Sequence, residues 1–277
     1  MASEKKIVLV TGANTGLGYE IVKALYESPV AYEIVLGCRT PSNGEAAIAS
    51  LQSTLPSSAS TLSVVQVDLE SDASLEAAAA ALAARTGGRL DVLVNNAGGT
   101  AGAGPATPRA VLNRTWDVNV AGPHALTTQL APLLVAAPDP RLLFVTSGTS
   151  ALAETVRADT PPLARINASP AAGWPKAAAG GLGDADADAL AAYRAAKTGL
   201  NMVMRDWARV LRADGVKVWA VSPGFLATGL GGVGADKLKA IGALDPAIGG
   251  RFVRDVIEGK RDQDAGLVIR ADSVQPW

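Results

Sequence analysis

The chain is poor in the residues that build metal centres, disulfides or stacking surfaces. Among 277 residues there is one cysteine, Cys38, and one histidine, His124. A single thiol cannot form an internal disulfide, and nothing points to an oxidising compartment. One Cys and one His cannot assemble a zinc site of the usual kind, and a Ser/His/Asp triad would have to use His124. Aromatic residues make up 4% of the chain, too few for a base-stacking platform. Neither sign of charge is in excess: 25 Lys and Arg face 26 Asp and Glu. A nucleic-acid binder carries a basic surplus, so that class is disfavoured. No stretch reaches 18 uninterrupted apolar residues, which argues against a membrane span. The run Ile7–Val10 is too short for a signal-peptide core, and Gln275-Pro276-Trp277 is no recognisable address. The cytosol is the default expectation.

What is present is apolar. Hydrophobic residues are 48% and charged residues 18%, enough for a large core and unlike a disordered chain. The length suits one α/β domain or two small ones. Seven short runs read as buried parallel strands because both their faces are apolar. They are Ile7–Val10, Glu33–Leu36, Leu62–Val67, Asp91–Val94, Arg141–Thr146, Val216–Val221 and Leu267–Ile269. Helix-like stretches lie between them: Leu17–Glu27, Gly44–Leu55, Ser74–Ala84, Arg109–Ala136 (one helix or two) and Ala189–Arg212. This alternation predicts βαβ units, hence a single doubly wound parallel sheet with helices on both faces, a Rossmann fold.

Residues 151–189 break the rhythm with four prolines, a Gly180–Gly183 cluster and the aspartates Asp184, Asp186 and Asp188. A loop of 39 residues is far beyond the usual length. It reads either as a domain linker or, preferably, as an insertion on the surface of one domain, because the alternation resumes afterwards.

Thr11-Gly12-Ala13-Asn14-Thr15-Gly16-Leu17-Gly18 joins the first strand to the first helix. Glycines there remove the Cβ that would block a phosphate, and a helix N-terminus offers unpaired N–H groups to a pyrophosphate. The spacing G-x-x-x-G-x-G differs from the commoner G-x-G-x-x-G fingerprint, and an ordinary Gly-rich turn is the bland alternative. The second strand ends in Leu36-Gly37-Cys38-Arg39. No Asp or Glu stands there for the ribose hydroxyls, whereas Arg39 suits a 2′-phosphate. NADPH is therefore favoured over NADH, although position 15 is Thr and adds no second cation. Cys38 reads as a small buried apolar residue.

Four tyrosines and nine lysines would place fewer than one Tyr-x-x-x-Lys pair by chance, yet there are two, Tyr19/Lys23 and Tyr193/Lys197. Such a pair shares a helix face, and a nearby ammonium lowers a phenol's pKa toward the range a general acid needs. Tyr19 follows the phosphate turn and is expected near the pyrophosphate end. Tyr193 opens a helix after the fifth strand, near the sheet edge where such folds bind ligands. His124 is expected to be a partly buried, hydrogen-bonded side chain.

In order and approximate spacing, several motifs resemble the short-chain dehydrogenase/reductase family. They are Thr11-Gly12 with Gly16-Leu17-Gly18, Val67-Asp68-Leu69, Asn95-Asn96-Ala97-Gly98, Asn119, Ser147, Tyr193 with Lys197, and Pro223-Gly224 with Thr228. The resemblance spans positions 11 to 228 and implies roles. Tyr193 would give a proton to a carbonyl oxygen or take one from an alcohol. Lys197 would lower its pKa and hold the nicotinamide ribose, and Ser147 would hydrogen-bond the substrate oxygen. Asn119 would hold a relay water, or else serve only to kink its helix. Asp68 and Leu69 would flank the adenine, Asn95 would be structural, and Ala97 and Gly98 would approach the cofactor. The segment Pro223, Gly224, Phe225 to Thr228 would hold the nicotinamide, with a substrate lid over about 229–250.

Ser147 and Tyr193 are 46 residues apart, far more than the family usually shows. This resembles the monomeric carbonyl reductases, which carry an insertion at the same place, and a monomer is expected. The insertion would also border the cleft. Trp277 would either reach the cleft or cap the sheet. The lid segment is apolar and glycine-rich without an arginine cluster, which favours an apolar carbonyl or alcohol substrate. Two other classes remain open: a same-fold enzyme acting on a biosynthetic intermediate (enone reduction or dehydration), and a non-catalytic NADP(H) sensor.

Overall fold

The computed structural model describes residues 5–100, 107–174, 187–232 and 234–277. Seven strands form one parallel sheet in the order β3-β2-β1-β4-β5-β6-β7. They are β1 Lys6–Thr11, β2 Tyr32–Cys38, β3 Thr61–Gln66, β4 Val92–Asn95, β5 Arg141–Val145, β6 Lys217–Val221 and β7 Val268–Ile269. Each covers an apolar run read from the sequence. Only the edge strand β3 departs from the buried pattern, with exposed ends and half-buried centre. The strand order reverses between β1 and β4, which pair as Val10↔Val94. At such a switch point the loops diverge and leave a crevice at the carboxyl ends of the strands.

The helices are α1 Gly16–Tyr26, α2 Pro41–Thr54, α3 Asp72–Thr86, α4 Pro108–Trp116, α5 Gly122–Val135, α6 Pro161–Asn167, α7 Ala187–Val210, α8 Ala235–Ala240 and α9 Pro246–Ile257. The alanine-rich α3 is held at its ends by local chemistry. Ser71 caps it by accepting from the Ser74 N–H, and Gly87 ends it with φ of 64°. One face of the sheet buries Ile21, Val22 and Leu25 of α1 with Phe252, Val253 and Val256 of α9. The other buries Leu75 and Leu82 of α3, Leu126 and Leu130 of α5, and Leu200 and Met204 of α7. Helices α6, α8 and α9 were not expected. The first two are a turn or two long, and α9 carries Gly249-Gly250, a poor helix sequence. Those glycines let α9 lie directly on Leu226 and on the Glu20 main chain.

The stretch Arg109–Ala136 is two α-helices joined by a five-residue π-helical turn, Asp117–Ala121. The cause is Asn119. Its side-chain amide donates to the Thr115 carbonyl at 2.8 Å, taking an acceptor of the helix ladder. The Gly122 N–H then reaches the Asp117 carbonyl, five residues back.

The first half of the insertion packs against α7. Asn167 donates to the Glu154 and Arg157 carbonyls, both at 2.8 Å, and Arg194 of α7 donates to Ile166 and Asn167. Residues 175–186, with Pro175 and the glycine cluster, lie outside the described residues. Trp277 lies between the insertion and α7. Its carbonyl accepts from the Ala153 N–H at 2.7 Å, and its ring lies under the Arg205 guanidinium, 5.4 Å from ring centroid to Cζ. Arg205 is twelve residues beyond Tyr193 on α7, or about 18 Å along the helix.

Candidate active site

The glycine-rich turn is shaped by close backbone approaches. Gly12 has φ of 63° and donates to the Gly37 carbonyl at 2.8 Å, tying the turn to β2. A Cβ on Gly18 would overlap the Gly12 carbonyl oxygen and stand 2.6 Å from Asn96 Nδ2. Asn96 and Thr11 hold the turn from below. Asn96 Nδ2 donates to the Thr11 carbonyl at 2.8 Å, and Thr11 Oγ1 accepts from the N–H groups of Asn96 and Ala97. The sequence reading assigned neither a site role, although Asn96 stands inside a quoted motif. Asn95 instead turns inward and donates to Thr127 Oγ1 at 3.0 Å, as expected of a structural residue.

Helix α1 starts at Gly16, with no side-chain cap on its first turn and no acidic residue there. Its first N–H groups and positive dipole end are thus left for an anion. Gly16 faces Thr228 across the cleft, so the Pro223–Thr228 segment closes over the turn. The bare backbone cradle, the uncapped helix start and the absence of a carboxylate on the turn fit a dinucleotide pyrophosphate.

Just past the end of β2, Arg39 is largely exposed. Glu70, from the loop after β3, stands 3.9 Å from it and also pairs with Arg114 at 3.4 Å. Sequence spacing gave no sign that this carboxylate would fold back beside Arg39. Asp68 uses its carboxylate to accept from the Glu70 N–H, while Leu69 is buried against Gly122. Cys38 is buried beneath the turn, and burial pushes its thiol up.

Strand β5 delivers Ser147 and α7 delivers Tyr193 and Lys197 to the same sheet edge. Ser147 Oγ accepts from the Thr149 N–H at 3.2 Å, capping a short 3₁₀ turn, stands 3.0 Å from Thr149 Oγ1, and is close enough to the Tyr193 phenol to lower its pKa. Lys197 is buried. Its Nζ donates to the Val145 carbonyl at 2.9 Å and lies 5.7 Å from the Tyr193 ring centroid. Asn119 is also buried. It donates to Gly99 and Thr115 and accepts from the Gly99 N–H, so one lone pair of its carbonyl stays free. Gly98 bridges the two: a Cβ there would stand 2.6 Å from Asn119 Oδ1 and 3.2 Å from Lys197 Nζ.

The electrostatics correct one expectation. Burial pushes the Tyr193 phenol up to about 12, opposed only by the Ser147 hydroxyl. The same burial brings Lys197 down to about 8. The phenol is thus a weaker acid than the expected effect of a neighbouring ammonium would make it.

Two other expectations are also corrected. Tyr19 points away from the pyrophosphate end, its hydroxyl 3.3 Å from Ser50 on α2. His124 is exposed rather than partly buried, though it does accept a hydrogen bond from Trp207 Nε1 at 3.1 Å. The expected lid is a folded flap. Phe225, Ala227, Leu238 and Ala243 form their own small cluster, and Leu226 bridges Leu244, so the flap ends where α9 begins at Pro246.

Residues 6–158 and 179–237 match the sequence profile of short chain dehydrogenases. The interruption falls inside the 151–189 segment. The short-chain dehydrogenase/reductase eupG of a Phoma species is 44% identical over 290 residues, covering 100% of this chain and 99% of that protein. A pig protein, carbonyl reductase [NADPH] 1, is 31% identical over 265 residues, covering 89% and 87%. The crystal structure of an NADPH-bound carbonyl reductase from chicken fatty liver superposes with a TM-score of 0.75 at 23% identity, covering 99% of this chain and 100% of that one. The chain belongs to the short-chain dehydrogenase/reductase family, a family of oxidoreductases. Among the described residues no helix is long and apolar enough to cross a membrane, and no His/Cys/Asp/Glu cluster could hold a metal.

Proposed function

We propose that the protein is an NADPH-dependent reductase of apolar carbonyl compounds, with Tyr193 as the general acid. The observation that carries this reading is the convergence of Ser147, Tyr193 and Lys197 at one sheet edge, beside a glycine cradle open to a pyrophosphate. A bound nicotinamide supplies the hydride, and the chain's residues handle orientation and the proton. The Ser147 hydroxyl donates to the carbonyl oxygen of the substrate and stabilises the charge that develops there. The Tyr193 phenol, protonated at neutral pH, delivers its proton to that oxygen. Lys197, held by the Val145 carbonyl, offers its remaining N–H donors to the cofactor ribose and favours the phenolate left behind. Asn119 keeps Gly98 and Gly99 against the cofactor and has one free lone pair for a relay water. Arg39 takes the 2′-phosphate, because its contact with Glu70 is loose and exposed. The apolar, folded flap covers the substrate and excludes water. Likeness to the pig carbonyl reductase supports the reaction class.

Initial rates with NADPH and NADH against apolar aldehydes, ketones and quinones test this. Tyr193→Phe is expected to lower kcat by about 10²–10⁴-fold while cofactor binding persists. Arg39→Ala is expected to raise the KM for NADPH about tenfold or more and to leave that for NADH unchanged. Full activity in Tyr193→Phe would remove the reading.

A further inference from the structure

The residues after β7 fold back into the region beneath the Ser147 turn. Ile269 bridges Val274 in an antiparallel pair, and the Gln275 N–H donates to the Val268 carbonyl at 2.8 Å. This buries the Gln275 side chain almost completely, at 1% exposure. Its Nε2 donates to the Ser147 carbonyl at 3.2 Å and to Ser150 Oγ at 3.1 Å. Ser150 Oγ in turn donates to the same Ser147 carbonyl at 2.6 Å. On the far side Arg270 Nε donates to Gln275 Oε1 at 3.2 Å, while its two terminal nitrogens grip the buried Glu154 carboxylate at 3.0 and 2.5 Å. Asn201 of α7 closes the network, donating to Ser150 Oγ at 3.0 Å and accepting from Thr146 Oγ1 at 2.7 Å.

We propose that Gln275 is a positioning residue that fixes the Ser147 peptide, and with it the direction of the Ser147 hydroxyl. The inference rests on the proposed role of Ser147. Within its turn the Ser147 carbonyl accepts from the Ser150 N–H at 3.1 Å and from Ser150 Oγ, and both of these bonds move with the turn, so a hold from outside anchors it to the rest of the fold. Gln275 supplies that hold from a segment some 130 residues further along the chain, and Arg270 and Glu154 lock the amide in one orientation. The consequence is chemical as well as steric. The Ser147 hydroxyl is what opposes the rise in the Tyr193 pKa, so a turned Ser147 leaves the phenol a weaker acid and a poorly assisted one.

Gln275→Met keeps the side-chain volume and removes both donors. Its kcat for carbonyl reduction, counted per cofactor-binding site, is expected to fall about tenfold while the cofactor Kd stays within about twofold. Alcohol oxidation needs the phenolate, so its rate climbs with pH, and that limb is expected to move to higher pH. A merely structural loss would lower the number of binding sites without moving the limb. Ser147→Ala is measured alongside. If it is inactive while Gln275→Met has wild-type kcat and pH profile, this inference fails and the proposed function stands. If Ser147→Ala is fully active, the role of Ser147 fails and the inference with it. Should Gln275→Met not fold, Gln275→Glu carries the same reading, because it keeps the acceptor for Arg270 and lacks the amide donors.

Discussion

Lys197 is buried and Tyr193 half-buried beside it, and the cost of that desolvation falls on the folded protein. The Lys197 pKa is depressed from 10.5 to about 8 by burial. The unfolded chain therefore binds that proton more readily, and stability from this group rises as pH climbs from about 8 to 10.5. Below about 8 its full penalty applies. Tyr193, raised from 10.0 to about 12, acts in the opposite sense above pH 10: the unfolded chain loses that proton first, and stability falls. Lys197→Met is thus expected to stabilise the cofactor-free protein by about 1–3 kcal/mol at pH 7 and to abolish turnover. Thermal melts at pH 7 and pH 10 check this, the gain being smaller at the higher pH. The residue types of this pair were legible in the sequence, since Tyr-x-x-x-Lys marks a helix face. The direction of the Tyr193 shift was not, because desolvation depends on what other segments cover the helix.

Among the elements, the β1–α1 turn was legible down to its glycines. A Cβ on Gly12 or Gly18 would strike main chain, and one on Gly16 would face Thr228. Gly18→Ala is expected to weaken cofactor binding at least tenfold by forcing the Gly12 carbonyl out of place. Titration of cofactor fluorescence reads this directly, and unchanged affinity would show the turn to be more pliant than its packing implies. The π-turn at Asn119 was legible only as a possible kink. It required knowing that the Asn119 amide reaches the Thr115 carbonyl rather than solvent. Helix α9 was invisible because its glycines lower helix propensity. Its N-cap Asp245 and Pro246 were the local signals available, and contact with α1 supplies the rest.

For the whole molecule, the described first half of the insertion and the residues after β7 both lie on α7, at Arg194 and at Arg205. A second copy approaching α7 from that side would meet them. We therefore expect one chain per particle in solution, and light scattering that returned a dimer or tetramer mass would overturn this. The same arrangement explains why the Ser147 turn can be held by Gln275: segments separated by most of a helical layer and two strands meet under one loop.

Alternating apolar runs and helical periods were enough to specify a doubly wound parallel sheet, since a strand apolar on both faces has to be covered on both. Local motifs were enough to place the glycine turn and the Ser147, Tyr193 and Lys197 set at the carboxyl edge, because each motif marks a strand end or the helix that follows it in the alternation, even across the segment that separates Ser147 from Tyr193. Non-local contacts settled the rest. The neighbour of Arg39, the rise in the Tyr193 pKa, the resting place of Trp277 and the clamp on Ser147 each depend on residues far apart in sequence. No spacing rule encodes such a pairing; it exists only once burial has brought both partners to the same place.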